Sequence, residues 1–110
     1  MSAAKAPNGT ETEIRAIVFK ENGAYVGQCL EYDIAAQASN IEALIDQLDL
    51  AVEAEFATCF AMGKKPHECI GPAPIYYHAL WDAAEVKLMR VNVKTPVDGK
   101  TLTLALAKAA

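Results

Sequence analysis

Apolar and polar residues alternate with a period of two from about Thr12 to Glu21, and this pattern predicts a first β-strand. Asn22-Gly23 follows directly. A type I′ turn needs positive φ at both central residues, so this pair predicts a two-residue hairpin loop. A second strand is then expected from about Ala24 to Leu30. The resulting register pairs Val26 with Phe19 and Gln28 with Ile17.

A corner at Glu31-Tyr32 and a short third strand from Asp33 to Ala38 extend the hairpin into an antiparallel meander of three strands. Ser39 then matches a helix N-cap, and Glu42, three residues later, completes a capping box.

A long helix is predicted from about Asn40 to Met62, with Gly63 as its left-handed C-terminal cap. Its buried stripe recurs at helical spacing. The stripe consists of Ile41, Leu44, Ile45, Leu48, Val52, Phe56 and Cys59.

A loop rich in proline and glycine is expected from Lys64 to Pro74, and Pro74 is suited to the first position of a second, shorter helix. That helix would bury Tyr77, Leu80, Trp81 and Ala84.

The alternation that resumes after Glu85 slips by one residue between Leu88 and Val91, which indicates a β-bulge or a break in the strand. Asp98-Gly99 is a further turn signal, with Pro96 before it as an edge-strand residue. We interpret this region as a C-terminal hairpin. The alternative is a short final helix from Leu102 to Ala109, because Ala and Leu favour helices.

These elements predict a flexible N-terminal lead, residues 1–11, and a single α+β domain, residues 12–110. The domain comprises a three-stranded antiparallel meander, a long helix, a shorter helix and a C-terminal strand or hairpin. An apolar fraction of 53% in 110 residues is enough for one core. Open sheet edges in so small a domain favour pairing between subunits, so a homo-oligomer of at least two copies is expected.

Composition limits the classes of function and the locations that we expect for this protein. A net charge of -4 argues against a nucleic-acid-binding protein. Three cysteines without a signal-like opening favour a cytoplasmic location, and no apolar run approaches the roughly 20 residues of a membrane span.

Charge is unevenly distributed along the chain. Between Lys20 and Lys64 there is no Lys or Arg, but there are eight carboxylates. On a helical projection, four of them fall about 80° to 140° from Ile41 and form one band, here called the acidic stripe. The acidic stripe consists of Glu42, Asp46, Asp49 and Glu53. It is either an ordinary solvated face or a docking surface for Lys and Arg, and Leu50, on the outward side, would suit an interface.

The segment from Glu21 to Glu53 resembles the HicB-like antitoxin family. The resemblance rests on Asn22-Gly23-Ala24-Tyr25-Val26, on Cys29, Glu31 and Asp33, and on Gln37 to Leu48 leading into the acidic helix. It covers about 30 of 110 residues. Leu30 stands where the family often has Pro, and Ala38 where it usually has Gly.

This resemblance implies a partial ribonuclease H-like fold and an antitoxin that binds and neutralises a small basic RNA-cleaving toxin of the HicA type. The expected partner-binding residues are Glu42, Asp46, Asp49, Glu53, Leu50, Tyr25 and Tyr32. Many members of the family add a C-terminal DNA-binding module. Residues 70–110 are taken up by one helix and a hairpin, so no sequence-specific DNA binding is expected. The alternative is a non-catalytic homo-oligomer without a toxin partner.

Other candidate sites are less favoured. Glu31, Asp33 and Asp46 resemble nuclease metal ligands only in type, because Asp46 is expected on the outward face of the helix and the other two at a corner. Cys59, His67 and Cys69 lack the paired spacing of a zinc site. Cys29 and Cys59 suit buried positions, Cys69 suits an exposed thiol, and His78 has no evident catalytic partner. We therefore predict no enzyme activity, no cofactor and no metal. Tyr76, Tyr77 and Trp81 are expected in the core or at a second interface.

Overall fold

Five strands and three helices make up the described part of the chain, residues 11–84, 86–92 and 101–109 of a computed structural model. They are β1 (Glu11–Glu21), β2 (Ala24–Cys29), β3 (Ala35–Ala38), α1 (Ile41–Ala61), α2 (Pro66–Cys69), α3 (Ile75–Ala83), β4 (Val86–Asn92) and β5 (Thr101–Lys108). The protein is thus an α+β domain around one mixed sheet. The predicted N-terminal lead lies outside the described residues apart from Glu11, which already belongs to β1.

The predicted hairpin is confirmed in both turn and register. Asn22 and Gly23 have φ of 52° and 82°, as a type I′ turn requires. Val26 pairs with Phe19 and Gln28 with Ile17. The third strand completes the meander as expected, although it begins at Ala35 instead of Asp33.

The sheet order is β3-β2-β1-β5-β4, with β5 parallel to β1 and antiparallel to β4. The C-terminal hairpin is therefore confirmed, and the alternative of a final helix from Leu102 to Ala109 is wrong. Pairing with strands on both sides outweighs the helix propensity of Ala and Leu here. The register shifts between Lys87 and Met89, so the predicted slip is an irregularity within a continuous β4 and not a break, and it lies earlier than expected. Pro96 and Asp98-Gly99 lie outside the described residues.

Helix α1 covers one face of the sheet. Leu44, Leu48 and Val52 are fully buried against that face, together with sheet residues Ile14, Ala16, Val18, Cys29, Leu104 and Leu106. Gly27 of β2 lies directly below the helix, where an added Cβ would be 2.8 Å from Leu48 Cδ1. The absence of a side chain at Gly27 lets the helix approach the sheet this closely.

Helix α3 covers the opposite face. The face of α3 that contacts the sheet is the predicted one, although its four residues are only partly buried. Ile17, Leu30 and Ala107 are packed against Tyr77, Leu80, Trp81 and Ala84. The helix begins at Ile75, so Pro74 is its N-cap and not its first residue as expected. The chain thus places one helix on each side of the sheet.

The ends of α1 partly differ from the prediction. Its N-cap is Asn40, whose side-chain Oδ1 accepts a hydrogen bond of 2.8 Å from the Ala43 N–H. The predicted cap at Ser39 and its capping box with Glu42 are therefore wrong, because Glu42 is only two residues from the true cap. At the other end Gly63 has φ of 73°, as expected of a left-handed cap. The short helix α2 interrupts the segment predicted as a loop.

Candidate protein-binding surface on the first long helix

The outward side of α1 carries three carboxylates of the acidic stripe. Glu42 and Asp46 are exposed and Glu53 is partly buried. Together they form what is called here the outer acidic face. They lie at positions i, i+4 and i+11, so the face extends roughly 16 Å along the helix axis at 1.5 Å per residue.

Asp49 does not belong to that outer face. Only 7% of this residue is exposed, so the four-member stripe is corrected to three members. On the helical projection Asp49 is about 80° from Ile41, nearer to the apolar stripe than Glu42, Asp46 or Glu53. The flank of a helix that packs closely on a sheet is covered by its neighbours, which removes a short side chain at this angle from solvent.

Leu50 lies next to the outer acidic face. It is 58% exposed and is one turn from both Asp46 and Glu53. A single exposed leucine is ordinary on a protein surface. Its position between two carboxylates nevertheless places an apolar contact point within a charged face.

The two predicted tyrosines are both partly buried at the rim of the core. Tyr25 is partly buried, and the Lys20 Nζ lies 5.0 Å from the centroid of its ring. Tyr32 packs edge-on against Phe56 of α1, with ring centroids 5.0 Å apart. Burial, and then the charge of Glu31, raise the pKa of Tyr32. Only the remaining exposed edges of these rings are open to a partner.

Glu31 and Asp33, which were weighed as nuclease residues, have structural partners. Glu31 Oε2 accepts a hydrogen bond of 2.6 Å from Arg15 Nε, and Asp33 Oδ1 accepts one of 2.9 Å from Gln28 Nε2. Within residues 11–84, 86–92 and 101–109, no group of three or more His, Cys, Asp or Glu side chains is arranged to hold a metal ion.

The Arg15–Glu31 ion pair was missed in the sequence, although a signal existed. Paired residues of the hairpin have numbers that sum to 45, so Arg15 is opposite Leu30 and adjacent to Glu31. Extending the register beyond the end of β2 would have brought the two charges together. The guanidinium also lies 5.6 Å from the centroid of Trp81, and Lys87 Nζ lies 4.2 Å from the same ring.

Comparisons with protein-family models, curated proteins and solved structures found no match to this chain. Among the described residues, no helix has the length and apolar character needed to cross a membrane.

Proposed function

We propose that this chain is a non-catalytic antitoxin domain of the HicB-like type, whose outer acidic face binds a small basic RNA-cleaving toxin. The observation that carries the proposal is the charge of α1: two exposed carboxylates and a partly buried third flank an exposed leucine, and the sequence has no Lys or Arg from Glu21 to Gly63. The motif between Glu21 and Glu53 supplies the family expectation. A ribonuclease H-like relationship is part of the same proposal.

Electrostatics supports this choice of partner. A toxin that grips RNA needs a surface rich in Lys and Arg, since phosphate contacts dominate RNA affinity. A row of carboxylates competes for the same surface and speeds association at low ionic strength. Leu50 adds apolar contact area between the charges.

The first test is capture of the tagged chain at low salt from the cell that encodes it, followed by mass spectrometry. The proposal expects a short basic protein at near-equal stoichiometry. That protein, purified alone, should cleave RNA, and adding this chain should stop the cleavage. Recovery of the chain without such a protein, or a captured protein that does not cleave RNA, contradicts the proposal.

The surface itself is tested with two charge-reversed variants. Glu42→Lys/Glu53→Lys changes the outer acidic face, whereas Glu21→Lys/Asp82→Lys makes the same change in net charge elsewhere: Glu21 is at the end of β1 and Asp82 is on α3. The first variant should bind the toxin more weakly, with a flatter salt dependence, and the second should bind nearly as the parent does. Equal loss in both would show that net charge, and not this face, governs binding. Circular dichroism and Tm verify that each variant folds.

Self-association is the second candidate function, and the unprotected sheet edge at β3 favours it. β4 is protected by a register shift and by the exposed Lys87, whereas β3 has neither charge nor proline. Two antiparallel copies of β3 would meet without repulsion. Light scattering after size exclusion should then give a dimer, and Gln37→Lys, at an exposed position of β3, should give a monomer.

A further inference from the structure

Two of the three cysteines come together where α1 meets α2. Cys59 lies in the last turns of α1 and is 2% exposed, while Cys69 is the last residue of α2 and is exposed. Helix α2 packs against α1, and Cys69 is close enough to Cys59 to raise its pKa by hydrogen bonding and by charge. The third cysteine, Cys29, is buried in the sheet.

The segment between the two thiols is held in place by its own backbone. Gly63 reverses the chain in the left-handed conformation, and the Lys64 N–H donates to the Cys59 carbonyl at 3.0 Å. The Lys65 N–H donates to Glu68 Oε1 at 2.8 Å, and the Ile70 N–H to the Pro66 carbonyl at 2.8 Å. These bonds fix the turn after α1 and the short helix α2, which carries Cys69 and packs against α1.

We propose that Cys59 and Cys69 are a thiol–disulfide modification site, which a low-molecular-weight disulfide such as oxidised glutathione converts to an intramolecular disulfide. The inference is independent of the proposed toxin partner. A second thiol held nearby makes ring closure faster than reaction with another molecule.

The reaction proceeds by two exchanges. The Cys69 thiolate attacks one sulfur of oxidised glutathione, whose S–S bond breaks, and one glutathione thiolate leaves. Cys59 then gives its proton to solvent and attacks the Cys69 sulfur, and the second glutathione leaves. The two protein thiols lose two protons and two electrons, and oxidised glutathione becomes two reduced molecules.

The environments of the thiols assign their roles. Cys69 is exposed and meets the oxidant first. Burial raises the pKa of Cys59 to about 11, assisted by the hydrogen bond and charge of Cys69 and the charge of Glu55, and opposed by Lys64. A protonated, buried thiol does not react with external reagents but is placed to resolve a mixed disulfide on its neighbour.

The test uses the reduced full-length chain in buffers of increasing oxidised-to-reduced glutathione ratio. Each sample is quenched with N-ethylmaleimide in denaturant, which makes the buried Cys29 accessible, and the intact mass is measured. The parent should lose the mass of two hydrogen atoms and retain one alkylated cysteine. Cleavage after glutamate separates all three cysteines, so the disulfide should appear as peptide 56–68 joined to peptide 69–85.

Two variants make the result specific. Cys59→Ala should stop at the mixed disulfide, with one glutathione on Cys69, and the exposed-site variant Cys69→Ser should stay reduced. A parent that remains fully reduced, carries only glutathione, or forms disulfide-linked dimers through Cys69 overturns the proposal. The assay contains no toxin, so its outcome does not depend on the proposed function.

Discussion

Glu31 receives two hydrogen bonds from a single residue, Arg15. The Arg15 backbone N–H donates to Glu31 Oε1 at 2.7 Å and its Nε donates to Oε2 at 2.6 Å. The Leu30 N–H in turn donates to the Arg15 carbonyl at 2.9 Å. The carboxylate therefore continues the β1–β2 hydrogen-bond ladder at the point where the backbone of β2 turns away.

This relationship predicts a graded response to substitution. Glu31→Ala removes both acceptors and should lower the free energy of unfolding by about 1 to 2 kcal/mol. Glu31→Gln keeps one oxygen for the Arg15 N–H and should lose about half as much, since a partly exposed ion pair contributes little. Urea unfolding followed by Trp81 fluorescence measures both. Equal losses of stability in the two variants would mean that the ion pair contributes more than the hydrogen bond from the Arg15 backbone N–H.

The hairpin could be predicted because its determinants are local. Two residues with positive φ set the turn, and the turn sets the register of every pair that follows. The position of β5 beside β1 could not be predicted in this way. It pairs Glu11 with Thr101, about 90 residues away in sequence, and Ala and Leu in that strand suit either strand or helix.

The candidate site, too, could be predicted from the sequence only in part. The acidic stripe followed from helical periodicity, but Asp49 is at the boundary between the apolar and polar sides of α1. Only the depth of packing decides whether such a residue is buried. Likewise Ser39 and Asn40 are both good N-cap residues, so their identity did not distinguish the true cap.

The cap can be tested by a matched pair of alanine substitutions. Asn40→Ala removes the acceptor of the Ala43 N–H and should cost about 1 kcal/mol of stability. Ser39→Ala, one residue earlier, should change stability by less than about 0.5 kcal/mol. Thermal or urea unfolding of both variants is sufficient. A larger loss of stability in Ser39→Ala would show that Ser39 is the N-cap, as the sequence predicted.

Gly27 should tolerate a methyl group poorly. Its Cβ would lie 2.8 Å from Leu48 Cδ1 and 3.3 Å from Leu44 Cδ2, and both leucines are fully buried. Gly27→Ala should destabilise the protein by about 1 to 3 kcal/mol. Gly71→Ala is the control, because no heavy atom lies within 4 Å of its added Cβ. Adding Leu48→Ala to Gly27→Ala should cost less than the sum of the single variants, and simple additivity would contradict the steric explanation.

The buried thiol of Cys29 should lower the free energy of unfolding in alkaline solution. Burial, with a further contribution from Glu31, raises its pKa from 9.0 to about 12. Between these values the unfolded chain releases the thiol proton and the folded chain retains it. The unfolded state thus binds fewer protons, and stability falls as pH rises, by up to about 1.4 kcal/mol per pH unit for this group. Urea titrations from pH 8 upwards measure the slope, which Cys29→Ala should reduce. An unchanged slope in that variant would assign the effect to other groups.

Leu50 distinguishes binding from folding on the outer acidic face. The side chain is 58% exposed, so Leu50→Ala should change the free energy of unfolding by less than about 0.5 kcal/mol. If the toxin docks over the face, the same variant should weaken binding by about tenfold, because a buried apolar side chain at the centre of an interface contributes more than 1 kcal/mol.

Met62, 59% exposed at the end of α1, provides a control of equal exposure outside the face. Met62→Ala should leave toxin affinity unchanged in calorimetry, and equal losses at the two positions would place the contact along the whole helix.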